Sequence, residues 1–432
     1  MRQSSSFTVP DIQKFKERLQ DWAQQFYEVL WLDGNGVKDL YGAFDCILAV
    51  DALTSIVTDT SDAFEDLSVY RSNTQDWIFG YLSYDLKNDV EELESQNRDG
   101  LGFSDLFFFQ PKKIIRIQGN TAEFLYLNMV GEEITHDFNE IQALGISEEA
   151  KKGTTDIRIK MRIFKDEYFN RVERLLQHIH RGDVYEANFC QEFYAEDTQI
   201  QPITVYKKLN TISKPPFACF LKVGERYLLS ASPERYLKKE GSTVVSQPIK
   251  GTAKRSSNPK EDVALGKALA QDEKERAENI MIVDLVRNDL SKNAQKGSVA
   301  VTELCKVYSF PQVHQMISTV RAEFDKDIDP VQIIRDSFPM GSMTGAPKVS
   351  AMKIIEKLEA TKRGLYSGAV GYFTPAGNFD FNVVIRSILY NASSKYISFS
   401  VGSAITSKAT PHREYEECLL KAKAMREVLE NC

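Results

Sequence analysis

The spacing of apolar residues along the chain predicts a series of amphipathic helices. Residues 11–30 carry one apolar stripe at helical spacing, formed by Ile12, Phe15, Leu19, Trp22 and Phe26. Residues 166–181 carry a second stripe and are followed by Gly182, a residue that often ends helices. Similar patterns predict helices over residues 259–290, 347–358 and 413–429, and a short helix that begins near Asp329. Each helix is expected to pack on a core through one face.

Apolar runs between polar or glycine-containing turns predict strands in the rest of the chain. In the first third of the chain these runs are residues 44–50, 77–84, 106–109, 114–117 and 122–129. Residues 226–252 predict one hairpin, whose polar turn is expected at residues 238–242. Residues 367–373 and 379–390 predict a second hairpin, which residues 396–405 follow as a further strand. The chain therefore combines many strands with fewer helices.

Composition places the chain among globular proteins and limits its partners. Of 432 residues 42% are apolar, which is enough for a substantial core, and the segment 147–155 is the best candidate boundary between regions 1–150 and 156–432. The net charge is −7 and no basic run is long enough for a nucleic-acid or membrane surface. No apolar run approaches membrane-spanning length, so we expect a cytoplasmic protein.

The six cysteines are scattered, and their spacing matches neither a metal knuckle nor a redox pair. They are expected to be reduced thiols. None lies in a glycine-flanked elbow of the kind that presents the thiolate of a glutamine amidotransferase.

Lys250 lies at the end of an apolar strand, next to Gly251. Desolvation lowers the pKa of a buried lysine, which can then act as a nucleophile or base, whereas a lysine that reaches solvent from a strand end has no such role. If the hairpin loop is residues 241–243, Glu234 lies opposite Lys250 with the Cβ atoms roughly 5 Å apart. A slip of one residue would place the two side chains on opposite faces.

Two pairs of glutamates have a spacing that places each pair on one helix face. Glu275 and Glu278 form the first pair, and Glu414 and Glu417 form the second, with Lys421 one turn further on. Such a pair usually lies on a solvated helix face. If the two pairs face each other, however, their charges require a hard cation, and Mg²⁺ suits carboxylates, water and substrate oxygens.

Two further features are typical of anion binding. Residues 338–348 form a glycine-rich loop that leads into a helix, where free backbone donors can face an anion. Arg386 is expected in the middle of a strand, where its charge needs a partner. Either a protein carboxylate or a substrate carboxylate could supply that partner.

The segments Ser232-Pro233-Glu234-Arg235 and Pro248-Ile249-Lys250-Gly251-Thr252 resemble those of the chorismate-utilising enzymes. The resemblance covers roughly the last two thirds of the chain and includes residues 182–188 and the glycine-rich loop. It implies an α+β fold, in which two large antiparallel β-sheets pack face to face with helices on the outside and the two regions form one intertwined body. The branch that it resembles most is the p-aminobenzoate branch, since the anthranilate branch usually has alanine at the position of Lys250.

The resemblance also implies a role for each residue of the site. Lys250 would add to the substrate ring, Glu234 would be the general acid, and Ser342 would form a hydrogen bond near the reacting ring. Glu278 and Glu417 would bind Mg²⁺ directly, while Glu275 and Glu414 would act mostly through water. The implied substrate contacts are made by Gly251, Thr252, Tyr366, Arg386, Gly402, Ser403, Ala404 and Lys421. Among them Arg386 and Tyr366 would hold the enolpyruvyl carboxylate, and the backbone of Gly402 and Ser403 the ring carboxylate.

The implied reaction converts chorismate and ammonia to 4-amino-4-deoxychorismate, a precursor of p-aminobenzoate and folate, with ammonia from a separate glutamine amidotransferase subunit. Formation of anthranilate and pyruvate is one alternative, and a non-catalytic chorismate-binding subunit is another. Glu186 stands where the water-adding branches have a lysine and the amine-transferring branches usually have a glutamine. This argues against the water-adding branches and leaves the role of Glu186 open. His314 is expected to be structural, and Gln315 replaces a histidine of many members.

Overall fold

The computed structural model describes residues 1–37, 41–145, 157–310 and 313–431. In chain order its strands are β1 (Arg2–Thr8), β2 (Glu28–Asp33), β3 (Cys46–Thr58), β4 (Ile78–Leu82), β5 (Leu106–Gln118), β6 (Thr121–Leu127), β7 (Lys160–Met161), β8 (Glu186–Ala195), β9 (Phe217–Val223), β10 (Arg226–Ser232), β11 (Arg235–Glu240), β12 (Thr243–Ser246), β13 (Ile249–Lys254), β14 (Ala300–Ser309), β15 (Val313–Glu323), β16 (Gly345–Ala346), β17 (Ala369–Phe373), β18 (Phe379–Val383), β19 (Ser387–Asn391) and β20 (Tyr396–Thr406). The α-helices are α1 (Ile12–Ala23), α2 (Ala63–Thr74), α3 (Lys87–Val90), α4 (Ile134–Ala143), α5 (Lys165–Arg181), α6 (Pro202–Ser213), α7 (Pro259–Gln271), α8 (Glu273–Ser291), α9 (Pro330–Ser337), α10 (Lys348–Leu358) and α11 (Pro411–Glu430).

Several elements end elsewhere than the sequence pattern predicts. The helix predicted over residues 11–30 ends at Ala23, and residues 28–33 form β2 instead. The strands predicted at residues 106–109 and 114–117 are the single strand β5. The helix predicted over residues 259–290 is two helices, because Asp272 lies between them and its carboxylate caps α8 by accepting the N–H of Glu275 at 3.0 Å.

The strands form two antiparallel arms that share β5. The first arm has the order β1, β6, β5, β3, β2, β9, β10, β19, β20 and β8, and the second has the order β5, β4, β17, β18, β11, β12, β15 and β14. The arms meet because β5 pairs with β6 through residues 113–118 and with β4 through residues 106–109. The predicted pair of antiparallel sheets is therefore joined by one long strand.

Two hydrophobic cores explain why the central strands are apolar at nearly every position. Along β2, Val29 and Trp31 belong to the core between the first arm and its outer helices, whereas Leu30 belongs to the core between the two arms. Val370 and Phe381 of the second arm face that same inner core. Successive side chains of a strand point to opposite faces, so a strand covered on both faces has apolar residues throughout. The α+β fold with sheets packed face to face is thus confirmed.

The predicted boundary at residues 147–155 lies outside the described residues, and the division of the chain there stays a prediction. Strands on either side of it pair directly, β2 with β9 and β4 with β17. Throughout the described part of the chain, each helix falls short of the length or apolarity needed to cross a lipid bilayer.

Candidate active site

Glu234 is a buried carboxyl with one hydrogen-bond donor. It lies in the link between β10 and β11 and is 5% exposed. The hydroxyl of Ser342, in the short helical turn Gly341–Met343, donates to Oε1 of Glu234 at 2.7 Å. Burial raises the pKa of Glu234 to about 7, although the hydrogen bond from Ser342 and the charge of Lys250 both lower it. A carboxyl with this pKa can hold and release a proton near neutral pH.

The backbone of the β10–β11 link fixes the position of this carboxyl. The N–H of Val383 donates to the carbonyl of Glu234 at 3.0 Å, and the hydroxyl of Ser232 donates to the carbonyl of Val383 at 2.6 Å. Both bonds tie the link to the end of β18. The backbone of Glu234 is therefore fixed by hydrogen bonds to β18.

The predicted register between Glu234 and Lys250 is wrong. The loop after β11 has two residues, Gly241 and Ser242, because Glu240 pairs with Thr243. Residues 226–252 form four strands instead of one hairpin, and Lys250 belongs to β13, which pairs with β15 rather than with β11. The two side chains nevertheless lie near each other, since the charge of each shifts the pKa of the other.

Lys250 is paired with Glu186. Its Nζ lies 3.4 Å from Oε1 of Glu186, and the two side chains are 13% and 2% exposed. Oε2 of Glu186 is buried and has no hydrogen-bond partner within the described residues. Glu186, whose role the sequence leaves open, is therefore the counterion of Lys250.

The pKa of Lys250 differs from the sequence expectation. Burial lowers this pKa, as expected. Negative charges outweigh burial and raise it above the ordinary value; they belong to Glu186, Glu278, Glu417 and Glu234. The protein by itself therefore holds this amine protonated, and attack by the amine requires that its proton be removed first.

Gly251 makes room for Glu275 beside Lys250. Its φ of +87° lies in the left-handed region, and the β13–β15 pairing is irregular between Ile249 and Thr252. A Cβ at Gly251 would lie 3.1 Å from Oε2 of Glu275. The glycine predicted to bind substrate thus also brings β13 close to α8.

The two predicted glutamate pairs face each other across α8 and α11. Nζ of Lys274 lies 3.6 Å from Oε1 of Glu278 on its own helix and 3.9 Å from Oε1 of Glu414 on α11. Glu417 is paired with Lys421, with Oε1 and Nζ 2.5 Å apart. These contacts bring Glu278 and Glu414 to one cation, while binding of Mg²⁺ by the two pairs stays a prediction.

Burial and charge act differently on the four carboxyls. Burial raises the pKa of Glu278 to about 7, and it also raises the pKa values of Glu275 and Glu414. The pKa of Glu417 is lowered instead, because the charge and the hydrogen bond of Lys421 outweigh burial. A nearby cation would therefore stabilise the charged form of three of the four carboxyls.

The glutamates offer free oxygens to a metal ion but do not form a closed cage. Oε1 of Glu278 and Oε2 of Glu414 are buried and have no hydrogen-bond partner within the described residues. Unused carboxylate oxygens are the ligands that Mg²⁺ prefers. Among the described residues, the possible metal ligands that lie within 4.8 Å of one another are those of a different group, His136, Asp137 and Glu140 of α4. There Asp137 is already bound by Lys113 at 2.6 Å and by Tyr126 at 2.8 Å.

Arg386 is a cation without a protein partner among the described residues. It lies between β18 and β19 with φ of +53°, so the strand predicted over residues 379–390 breaks here. Its guanidinium makes no hydrogen bond or ion pair with any residue that the structure describes, and burial lowers its pKa. Arg386 lines a cavity of about 250 Å³ together with Thr252, Gln315 and Lys421. Of the two expected partners, this geometry favours a ligand carboxylate.

Other predicted substrate residues lie close to Arg386 or Lys421, which line this cavity. Tyr366 is 3% exposed, and its phenol group is an electrostatic neighbour of Arg386. Gly402, Ser403 and Ala404 lie on β20 and pair with residues 188–190 of β8. Lys421 donates to the carbonyl of Gly402 at 2.8 Å. A Cβ at position 402 would lie 2.5 Å from Sγ of Cys190, so only glycine fits here. Backbone donation to a substrate from this strand stays a prediction.

The structure shows the surroundings of His314 and Gln315, and it reveals one further residue, Lys274, that the sequence analysis did not predict. His314 contacts Asp262 at 3.0 Å and Ser309 at 2.9 Å, which agrees with a structural histidine. Gln315 is buried and lines the cavity beside Arg386. Lys274 was not predicted, although its position four residues before Glu278 on a helix is a recognisable signal for an ion pair.

Comparisons with known proteins agree with this arrangement. The family model described as chorismate binding enzyme matches residues 29–427. The chain is 42% identical over 274 residues to the aminodeoxychorismate synthase of Streptomyces griseus, covering 63% of this chain and 37% of that one. It is 31% identical over 414 residues to aminodeoxychorismate synthase component 1 of Bacillus subtilis, covering 93% and 84%. The chain thus spans well under half of the first relative and most of the second.

Relatives with a different name are about as similar. Anthranilate synthase component 1 of Thermus thermophilus is 33% identical over 364 residues, covering 82% of this chain and 77% of that one. The solved structure of anthranilate synthase component I from Streptococcus pneumoniae superposes with a TM-score of 0.79 at 24% identity, over 90% of this chain and 93% of that chain. The family model, which matches most of the chain, and the relatives of 31% and 33% identity show that the chain belongs to the chorismate binding enzyme family.

Proposed function

We propose that the protein converts chorismate and ammonia to 4-amino-4-deoxychorismate, the reaction of aminodeoxychorismate synthase component I. One observation carries the proposal: the amine of Lys250 is buried close to Glu234, an acid with a pKa of about 7. An amine at this position distinguishes the chain from the anthranilate branch, which usually has alanine there. The proposal therefore assigns Lys250 a covalent role rather than a structural one.

Chorismate is a dicarboxylate with a hydroxyl leaving group, and the site has a group for each feature. Arg386 lines the cavity, has no partner in the part of the chain that the structure describes, and would hold the enolpyruvyl carboxylate. The ring carboxylate would lie near Lys421 and the glutamates of α8 and α11. Glu278 and Glu417 would hold Mg²⁺ directly, Glu275 and Glu414 mostly through water, and the bound ion would neutralise the ring carboxylate. Thr252 and Ala404 would complete the walls around the ring.

Glu186, Lys250 and Glu234 can account for each proton and each bond of the proposed reaction. Glu186, 3.4 Å from Nζ, is placed to take the proton that Lys250 carries. The nitrogen of Lys250 then bonds to a ring carbon while the C4–oxygen bond breaks, and Glu234 gives its proton to the hydroxyl, which leaves as water. Ammonia bonds to C4 as the bond to Lys250 breaks, which releases the lysine as a neutral amine. The ring double bonds shift in the first step and shift back in the second.

Ammonia would come from a separate glutamine amidotransferase subunit. Five cysteines fall within the described residues: Cys46, Cys190, Cys219, Cys305 and Cys418. All five are buried, and burial raises the pKa of each thiol. Such thiols are poor nucleophiles, so these five do not suit the release of ammonia from glutamine. A cytoplasmic location also stays a prediction.

Product analysis with chorismate, Mg²⁺ and ammonium tests the proposal directly. Formation of 4-amino-4-deoxychorismate, which a separate lyase converts to p-aminobenzoate, would support it. Fluorescent anthranilate with release of pyruvate would favour anthranilate synthesis, the function suggested by relatives of similar identity. Chorismate binding without turnover at saturating ammonium would instead indicate a non-catalytic subunit.

A further inference from the structure

Lys274 belongs to α8, its side chain reaches towards Glu414 on α11, and it has no role in the proposed chemistry. Its Nζ is 3.6 Å from Glu278 and 3.9 Å from Glu414, distances of loose ion pairs without a hydrogen bond. The two carboxylate side chains are 10% and 3% exposed, whereas the lysine side chain is 44% exposed. A solvent-reaching cation therefore bridges two buried anions from different helices.

The bridged carboxylates are the ones with unused oxygens. Oε1 of Glu278, the atom nearest Lys274, and Oε2 of Glu414 are buried and lack hydrogen-bond donors among the described residues. Glu275 and Glu417 add negative charge nearby, and Lys421 is already engaged by Glu417. The charge of Lys250 also acts on Glu278 and Glu417, but Lys250 is paired with Glu186. Removal of Lys274 would take away the ion pair that Glu278 and Glu414 each form among the described residues.

We propose that Lys274 is an internal counterion, which occupies the space between Glu278 and Glu414 until a divalent cation displaces it. The inference rests on the magnesium site of the proposed function. Displacement is feasible because nearly half of the lysine side chain already faces water, so its ammonium can move outward without disturbing the core. Lys274 would then stabilise the metal-free protein and weaken metal binding, since each ion that enters must replace an existing charge.

Titration of the metal-free full chain with Mg²⁺ alone, followed by calorimetry, tests this role. The variants are Lys274→Met and Lys274→Gln, and the control is Lys267→Met, which removes an exposed lysine of α7. We expect both Lys274 variants to bind Mg²⁺ about tenfold more tightly, because one partly screened charge no longer competes. Their Tm without metal should be lower than that of the wild type, and saturating Mg²⁺ should close the difference.

Other outcomes would overturn the inference. An affinity equal to that of the control would mean that Lys274 does not compete with the ion, and a weaker affinity would mean that it helps to hold the glutamates in place. If the wild type binds no Mg²⁺, the metal site fails and this inference fails with it. The product assay is a separate measurement, so failure of the counterion role leaves the assignment of the reaction open to its own test.

Discussion

Glu234 and Glu278 are two buried carboxyls whose pKa burial raises to about 7, yet their surroundings differ. Glu234 accepts one hydrogen bond, from the neutral hydroxyl of Ser342. Glu278 lies beside Lys274 and within range of the charges of Glu186 and Glu275. Glu234 is isolated from other carboxyls and has Lys250 as the charged neighbour that acts on its pKa, whereas Glu278 belongs to a crowded anionic cluster.

Burial raises the pKa of both carboxyls, while their neighbours decide what each carboxyl can do. An isolated acid can give up its proton to a leaving group. A carboxyl crowded by like charges is relieved by a cation, as Glu417 shows, whose pKa is lowered by Lys421 at 2.5 Å. We call the surroundings of Glu234 the acid end of the site and the surroundings of Glu278 its crowded end. Substitutions at these two ends are expected to affect different measurements.

The largest effect is expected at Lys250, whose charge reaches both ends. Lys250→Ala should lower the rate of 4-amino-4-deoxychorismate formation by about 10⁴-fold or divert the product, because the attacking nitrogen is gone. Product formation with ammonium measures this effect, and Lys254→Ala, at the exposed end of β13, is the control. In the double variant Lys250→Ala/Glu186→Gln both charges of the pair are removed, so neither is left buried and unpaired. Unchanged turnover would remove the covalent step.

At the acid end, Glu234→Gln should reduce kcat by about a thousandfold, since the amide cannot protonate the departing hydroxyl. Mg²⁺-dependent binding of chorismate should stay close to that of the wild type. Glu240→Gln changes an exposed carboxylate of the neighbouring strand and serves as the control. Loss of Mg²⁺-dependent binding in Glu234→Gln would contradict the separation of the two ends.

At the crowded end, Glu417→Gln should weaken Mg²⁺-dependent chorismate binding by about a hundredfold, because one direct metal ligand loses its charge. Equilibrium binding of chorismate with and without Mg²⁺ measures the effect. Glu416→Gln alters the adjacent exposed glutamate and is a matched control. Binding of equal strength without the metal would defeat the assignment of Glu417.

The sequence pattern predicts much of the fold because most strands have a clear burial pattern. Val29, Leu30 and Trp31 alternate between two cores, and motifs around them are typical of one family. The end of α1 was misplaced because residues 28–30 contain apolar side chains that fit a helical as well as a strand period. Element types were therefore easier to predict than their ends.

Within the site, local spacing was informative and long-range contacts were not. The i, i+3 pairs on α8 and α11 could be predicted, and they do face each other. The contact between Glu186 and Lys250 joins β8 to β13, and no local rule indicates it. The Glu234–Lys250 proximity was predicted from a hairpin register that does not exist, since a two-residue loop replaces the expected three.

The isolation of Glu234 also predicts a pH effect on stability. The pKa of this carboxyl is raised in the folded protein, so the unfolded chain loses the proton first and the free energy of unfolding falls as pH rises from about 4.5 to about 7. Between pH 5 and pH 8 this lowers the free energy of unfolding by roughly 2–3 kcal/mol. Glu234→Gln should therefore gain about that much stability relative to the wild type between these pH values in urea denaturation, and Glu240→Gln should gain none.

The smallest effect is expected from the single hydrogen bond that Glu234 accepts. Ser342 donates to the carboxylate and so stabilises its ionised form, which lowers the pKa. In the wild type, kcat should fall as pH rises through about 7, because Glu234 loses the proton that it has to donate. Ser342→Ala should move this fall upward by about one pH unit, whereas Ser342→Thr, which keeps the hydroxyl, should leave it in place. A downward movement would mean that the hydroxyl accepts from the protonated acid instead.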